Sequence, residues 1–146
     1  MVKNPFADLV GFTLRLGPRG SGTATAALEV RPELLNPNGV VHGGALFAIA
    51  DTVMGAALYT TLEPGENCAT IEIKIHFLQP VTRGKIHCRT RLVHRGSRVA
   101  VLESHVSVGR QQVAQALGTF AIFAPRPAKV KTKAKSGGAK RRPLSK

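Results

Sequence analysis

Hydrophobic residues follow two rhythms along this chain, and the change from one to the other marks its elements. From Gly43 to Leu62 (GGALFAIADTVMGAALYTTL) they run almost without interruption. A helix that is apolar nearly all round belongs in a core, enclosed by protein on most sides. The stretch is also about long enough to cross a bilayer. Asp51 sits at its centre, however, and a charge at mid-membrane costs at least ~2.5–3.5 kcal/mol. Together with its three Gly and its Thr cluster, this predicts a core helix and no membrane span.

Elsewhere the period is two. Cys68 to Val81 sets Ile71, Ile73, Ile75 and Phe77 on one face and Thr70, Glu72, Lys74 and His76 on the other, a long half-buried strand that Pro80, Thr82 and Gly84 break. Lys85 to Arg95 resumes, with Ile86, Cys88, Thr90 and Leu92 opposite His87, Arg89, Arg91 and Val93, and Arg95-Gly96-Ser97-Arg98 reads as a hairpin turn. Val99 to Val108 and Val113 to Phe123 follow, joined at Gly109-Arg110-Gln111, so four antiparallel strands in succession predict a meander. Ahead of the helix, Phe12 to Leu16 and Thr23 to Val30 are shorter strands around the turn Gly17-Pro18-Arg19-Gly20. The order ββ, helix, ββββ, without internal repeat, predicts an α+β fold. The sheet must curl round a helix that has almost no polar face.

Length and charge divide the chain. Its 146 residues suffice for one domain. The formal charge of +13 would suggest nucleic acid or an acidic membrane surface, but nine of the 21 basic residues lie in residues 125–146, which hold no acidic residue. Residues 1–124 carry 12 basic against 8 acidic residues, only mildly basic, and form the expected domain. Residues 125–146, rich in Pro, Gly, Ser and Lys, cannot bury enough surface to offset the entropy of ordering and are expected to be a disordered tail that aids solubility. Salt-sensitive contact of that tail with nucleic acid or an acidic surface is the functional alternative. Cys68 and Cys88 have neither redox-motif nor zinc-site spacing and are expected to be reduced thiols. Asp8 and Pro5 interrupt the apolar run that a secretory signal would need, which predicts a cytoplasmic protein.

The candidate chemistry lies where the second strand meets the helix, in RPELLNPNGVVHGG (residues 31–44). Paired glycines begin the helix, where they cost stability, and a flexible entry turn capped by His42 is the bland explanation. The other is access. First-turn N–H groups have no intrahelical partner and lie at the positive end of the helix dipole, where they can receive an oxygen that gains negative charge. Asp51 is the only ionisable residue from Gly43 to Leu62. A carboxylate on an apolar helix must be hydrogen-bonded or face a cavity, and it suits a general base or nucleophile. A core Asp satisfied by backbone or Thr hydroxyls is the alternative.

Asn36, His42-Gly43-Gly44 and Asp51, on an apolar helix followed by long strands, resemble the hotdog-fold acyl-CoA thioesterases, in particular the phenylacetate-degradation type related to 4-hydroxybenzoyl-CoA thioesterases. The resemblance covers roughly residues 28–123. It implies one long central helix wrapped by a curled antiparallel sheet and hydrolysis of acyl-CoA thioesters. Asp51 would activate water or attack the thioester carbon, and the backbone N–H of Gly43 would hold the oxyanion. Asn36 and His42 would orient the water or the helix entry, Thr70 would bring a hydroxyl near the reaction centre, and Gly44 would border the substrate. Gly43 and Asp51, eight residues apart, are separated by ~12 Å along a straight helix, too far to touch one carbonyl. A homodimer, or a dimer of dimers, with a site shared between chains is what the resemblance implies.

Coenzyme A needs cations for its phosphates, and Arg95 and Arg98 are the candidates, although strand arginines usually serve solubility alone. How Met54, Leu58 and Phe77 pack at an interface would set the acyl pocket. The histidines form no helical metal pair and no phosphate-binding glycine loop is present, so neither metal nor cofactor is implied. A hotdog acyl-CoA hydratase or dehydratase, which the Asn36-Pro37 dipeptide faintly resembles, and a non-catalytic acyl-CoA-binding protein are the competing functions.

Overall fold

A computed structural model describes residues 4–124; the tail expected from residue 125 onward lies outside them. Six strands, β1 (Phe12–Leu16), β2 (Thr23–Glu29), β3 (Asn67–Phe77), β4 (Lys85–Arg95), β5 (Val99–Val108) and β6 (Gln111–Phe123), form one antiparallel sheet in the order β1-β2-β4-β5-β6-β3. A short helix, α1 (Pro5–Val10), precedes them, and the central helix, α2 (Gly43–Tyr59), joins β2 to β3. All six strands touch α2. Its buried residues Leu46, Ile49, Ala50, Val53, Met54, Ala57 and Leu58 leave so little polar surface that the sheet must wrap it. The helix comes close to β6 at Gly118, where a β-carbon would lie 2.6 Å from the Met54 sulfur. Among the described residues no helix is long and apolar enough to cross a membrane.

The expected α+β fold is present, with one correction to its topology. Only β4, β5 and β6 form a meander; β3 pairs with β6, from Asn67 opposite Phe123 to Phe77 opposite Ala114. Alternation reveals that a segment is a strand and which face it buries, but not which neighbour it takes. The crossover from β3 to β4 is held beneath the helix entry, with Val81 buried and its carbonyl accepting from the Val41 N–H at 2.7 Å. β3 is therefore an edge strand.

A second correction concerns the faces of β3. The register slips between Thr70 and Glu72, so that consecutive β6 residues, Phe120 and Thr119, oppose them and Ile71 is extra. Such a bulge reverses the inside-outside alternation beyond it. Cys68 and Thr70 thus share the inner face with Ile73, Ile75 and Phe77, while Ile71, expected inside, is 58 % exposed.

Sequence patterning also missed α1. Its signals were local: Asn4 caps the helix by accepting from the Ala7 N–H at 3.0 Å, Pro5 opens it, and Gly11, at φ +88°, ends it.

Candidate active site

The helix entry is built by short-range hydrogen bonds. Asn36 accepts on Oδ1 from the N–H groups of Asn38 (2.9 Å) and Val40 (3.4 Å), and its own N–H donates to the Val40 carbonyl at 2.7 Å. Together with the bridge between Leu35 and Val41, these bonds close a tight loop with Gly39 at φ +72°. The His42 N–H donates to the Leu34 carbonyl at 2.7 Å, which fixes where α2 begins. Asn36 thus holds together the loop that leads into α2.

His42 caps the helix. Its Nδ1 accepts from the Gly44 N–H at 2.9 Å, and the Ala45 N–H donates to the His42 carbonyl at 2.9 Å. Two of the first-turn donors are thereby used. The Gly43 N–H has no acceptor among the described residues and is the donor left for an incoming oxygen. Gly44, expected to border the substrate, spends its N–H on the cap. The glycine pair has a packing reason that the sequence hid. A β-carbon on Gly44 would lie 2.9 Å from His42 Nδ1, and one on Gly43 would lie 3.1 Å from the Phe77 ring. If His42 is primarily a cap, His42→Ala should lower unfolding free energy in urea by about 1 kcal/mol, with no change in fold by circular dichroism.

Gly43 opens on a cleft of about 330 Å³, also lined by Val40, Leu46, Phe77, Leu78 and Pro80. Its walls are largely apolar. Phe77 stands over Gly43 and is 54 % exposed. Met54 and Leu58, also expected to shape an acyl pocket, are instead buried inside the protomer.

Two turns further along α2, Asp51 is half-buried rather than enclosed. Thr70 donates its hydroxyl to Asp51 Oδ1 at 2.7 Å. The β3 bulge makes this bond possible, because unbroken alternation from Ile73 would turn Thr70 outward. Cys68, two residues away on the same face, was not singled out for the site. Burial pushes its thiol up, and the nearby Asp51 carboxylate adds to the shift. Burial also pushes the Cys88 thiol up, to about 11, against hydrogen bonds from Thr90 and Ser104. Removing the Asp51 charge should therefore speed alkylation of Cys68 by iodoacetamide at fixed pH, because less negative potential opposes the thiolate; Cys88, followed by mass spectrometry in the same sample, should stay unreactive.

The two arginines do not join these groups. Arg95 Nη2 lies 2.6 Å from Glu66 Oε2, with both side chains largely covered. It ties the β4–β5 hairpin to the start of β3. Arg98, in that hairpin, is exposed. The hairpin sits where β3 begins, whereas Gly43 contacts Phe77 at its end, about 30 Å away along the strand. One protomer thus brings Asp51 and Thr70 together, gathers Asn36, His42, Gly43 and Gly44 at the helix entry, and leaves Arg95 and Arg98 remote from that entry. Among the described residues no three His, Cys, Asp or Glu side chains converge as metal ligands.

Residues 38–115, from the helix entry into β6, match the model of the thioesterase superfamily. The chain belongs to the thioesterase superfamily. The match takes in His42, Gly43, Gly44, Asp51 and Thr70, while Asn36 lies just outside it. A candidate esterase of Saccharolobus solfataricus is 30 % identical over 103 residues, 70 % of this chain and 68 % of that protein. Among solved structures, a conserved protein of Pseudomonas aeruginosa superposes with a TM-score of 0.78 at 35 % identity, covering 83 % of this chain and 95 % of its own. The phenylacetic acid degradation protein PaaI of Thermus thermophilus, in a mutant form, gives 0.73 at 28 % identity over 81 % of this chain and 98 % of its own. The resemblance to hotdog thioesterases of the phenylacetate-degradation type is borne out, in fold and in family. Membership of this superfamily supports thioester hydrolysis as the general activity.

Proposed function

We propose that the chain hydrolyses acyl-CoA thioesters at a site that two protomers complete. The observation that carries this reading is a pair of groups on one helix: the Gly43 N–H, without an acceptor among the described residues, at its start, and the Asp51 carboxylate, held through Oδ1 by Thr70, ~12 Å along it. Neither can serve the other's carbonyl. β3 is an open edge, and Asp51 lies beside its Thr70 while Gly43 lies beside its Phe77. If two β3 edges pair antiparallel about Lys74, the bulge at Ile71 sets Thr70 of one chain opposite Phe77 of the partner subunit. Asp51 of one chain then approaches Gly43 of the partner subunit.

In that arrangement Asp51, held by Thr70, takes a proton from water. The resulting hydroxide attacks the thioester carbon, and the carbonyl oxygen gains its negative charge against the Gly43 N–H. Collapse of the tetrahedral intermediate breaks the carbon–sulfur bond, and the coenzyme A thiolate leaves and takes up a proton. Direct attack by the carboxylate, giving an anhydride that water then opens, uses the same geometry. The apolar cleft beside Gly43 receives the acyl chain. Arg98 is the better candidate for the coenzyme A phosphates, because Arg95 is engaged by Glu66.

The test is a panel of short, long and aromatic acyl-CoAs followed by release of free thiol. Turnover of at least one class is expected. Binding without turnover across the panel would favour an acyl-CoA-binding protein, and hydration of an enoyl-CoA in its place would favour the hydratase.

A further inference from the structure

On the outer face of the sheet, turned away from α2, β2 presents small side chains between larger ones. Thr25 and Ala27 form the floor of a trough of about 350 Å³, with Thr13 and Arg15 of β1 on one side and Lys85, His87 and Arg89 of β4 on the other. Register places Arg15, Thr25 and Arg89 in one row across the sheet. The two arginines, two strand spacings apart, therefore stand about 10 Å from one another with a hydroxyl between them. The row continues into His105 of β5.

Neutralisation is uneven on this face. Lys85 lies 3.2 Å from Glu29 and Arg91 lies 2.6 Å from Glu103. Arg15 and Arg89 have no carboxylate within 4 Å among the described residues. Arg91, on the same strand as Arg89, and His105, opposite it, both face Glu103, at 2.6 and 3.4 Å, so among the described residues Arg15 and Arg89 are the cations of the trough that no carboxylate offsets. Guanidinium groups bind phosphate through paired N–H donors, and the Thr25 hydroxyl stands between them as a further donor. No Phe, Tyr or Trp lines the trough, so it lacks the large stacking surfaces that single-stranded nucleic acid uses.

We infer that this trough is a binding site for the phosphate chain of a small polyphosphate-bearing molecule, held between Arg15 and Arg89. The ligand bridges the two guanidinium groups, with Thr25 beneath it. The site is separate from the thioester chemistry and does not depend on it.

The experiment is titration calorimetry of the full chain with inorganic tripolyphosphate, ATP and a 20-nucleotide RNA at two salt concentrations. Wild type should bind tripolyphosphate saturably, and Arg15→Gln/Arg89→Gln should weaken it at least about tenfold. The charge-matched Arg83→Gln/Arg110→Gln variant should bind as wild type does, which separates the trough from the basic tail. ATP binding with the same dependence assigns the site to nucleotides; tripolyphosphate binding alone assigns it to the phosphate chain. Both side chains are exposed, and the single variants replace the double one if it fails to fold. Absence of saturable binding, equal loss in the charge-matched variant, or trough-dependent binding of RNA alone would overturn the inference.

Discussion

Asp51→Asn should lower turnover of the best acyl-CoA by ~10²–10⁴, the usual loss of a positioned base, and leave the fold intact. The substitution keeps side-chain volume and still accepts the Thr70 hydroxyl, 2.7 Å from the present Oδ1, so only basicity and charge are removed. Asp51 is half-buried rather than sealed in the core, and a neutral amide in that position leaves no new buried charge. Thermal unfolding and turnover measured on one preparation separate the roles. A purely structural Asp51 would show the reverse pattern, a shifted melting temperature with nearly unchanged turnover.

Gly43→Pro should be similarly damaging, for the opposite partner in the reaction. It deletes the one first-turn N–H without an acceptor among the described residues. Proline suits this position, since Gly43 is the first residue of α2 and a helix accepts Pro there. The residue before a proline must be extended, and His42, at φ −59° and ψ 133°, already is. The ring would press on Phe77, which stands 3.1 Å from where a β-carbon on Gly43 would be, but that side chain is exposed enough to yield. Losing an oxyanion donor costs ~10²–10³ in kcat. Turnover near wild type, in a variant with native circular dichroism, would take the Gly43 N–H out of the mechanism.

Much of this is legible in the amino-acid sequence alone. The unbroken apolar run around Asp51 announces a wrapped helix, and period-two alternation locates all six strands, three of them (Phe12–Leu16, Lys85–Arg95 and Val99–Val108) to the residue. What stays hidden depends on contacts between distant residues. Pairing of β3 with β6 is invisible to alternation, and the Ile71 bulge is a property of the paired strands rather than of either sequence. Thr70 stands out through a family resemblance, yet its reach to Asp51 depends on that bulge. The glycine pair reads as a place where a substrate comes close to the backbone, but Phe77 and His42, which approach it from within the protomer, are known only from the fold. Arg95 looks available on a hairpin until Glu66 is seen against it.

The shared site is the claim on which the mechanism stands, and a mixed dimer tests it most directly. Asp51→Asn and Gly43→Pro chains, each near background alone, are co-expressed with different tags, and the mixed assembly is isolated by two successive affinity steps. In a two-fold dimer one site then combines both defects and the other has none. About half of the wild-type turnover per dimer is the predicted result; a mixed dimer as inactive as its two parents would contradict a site built from two chains.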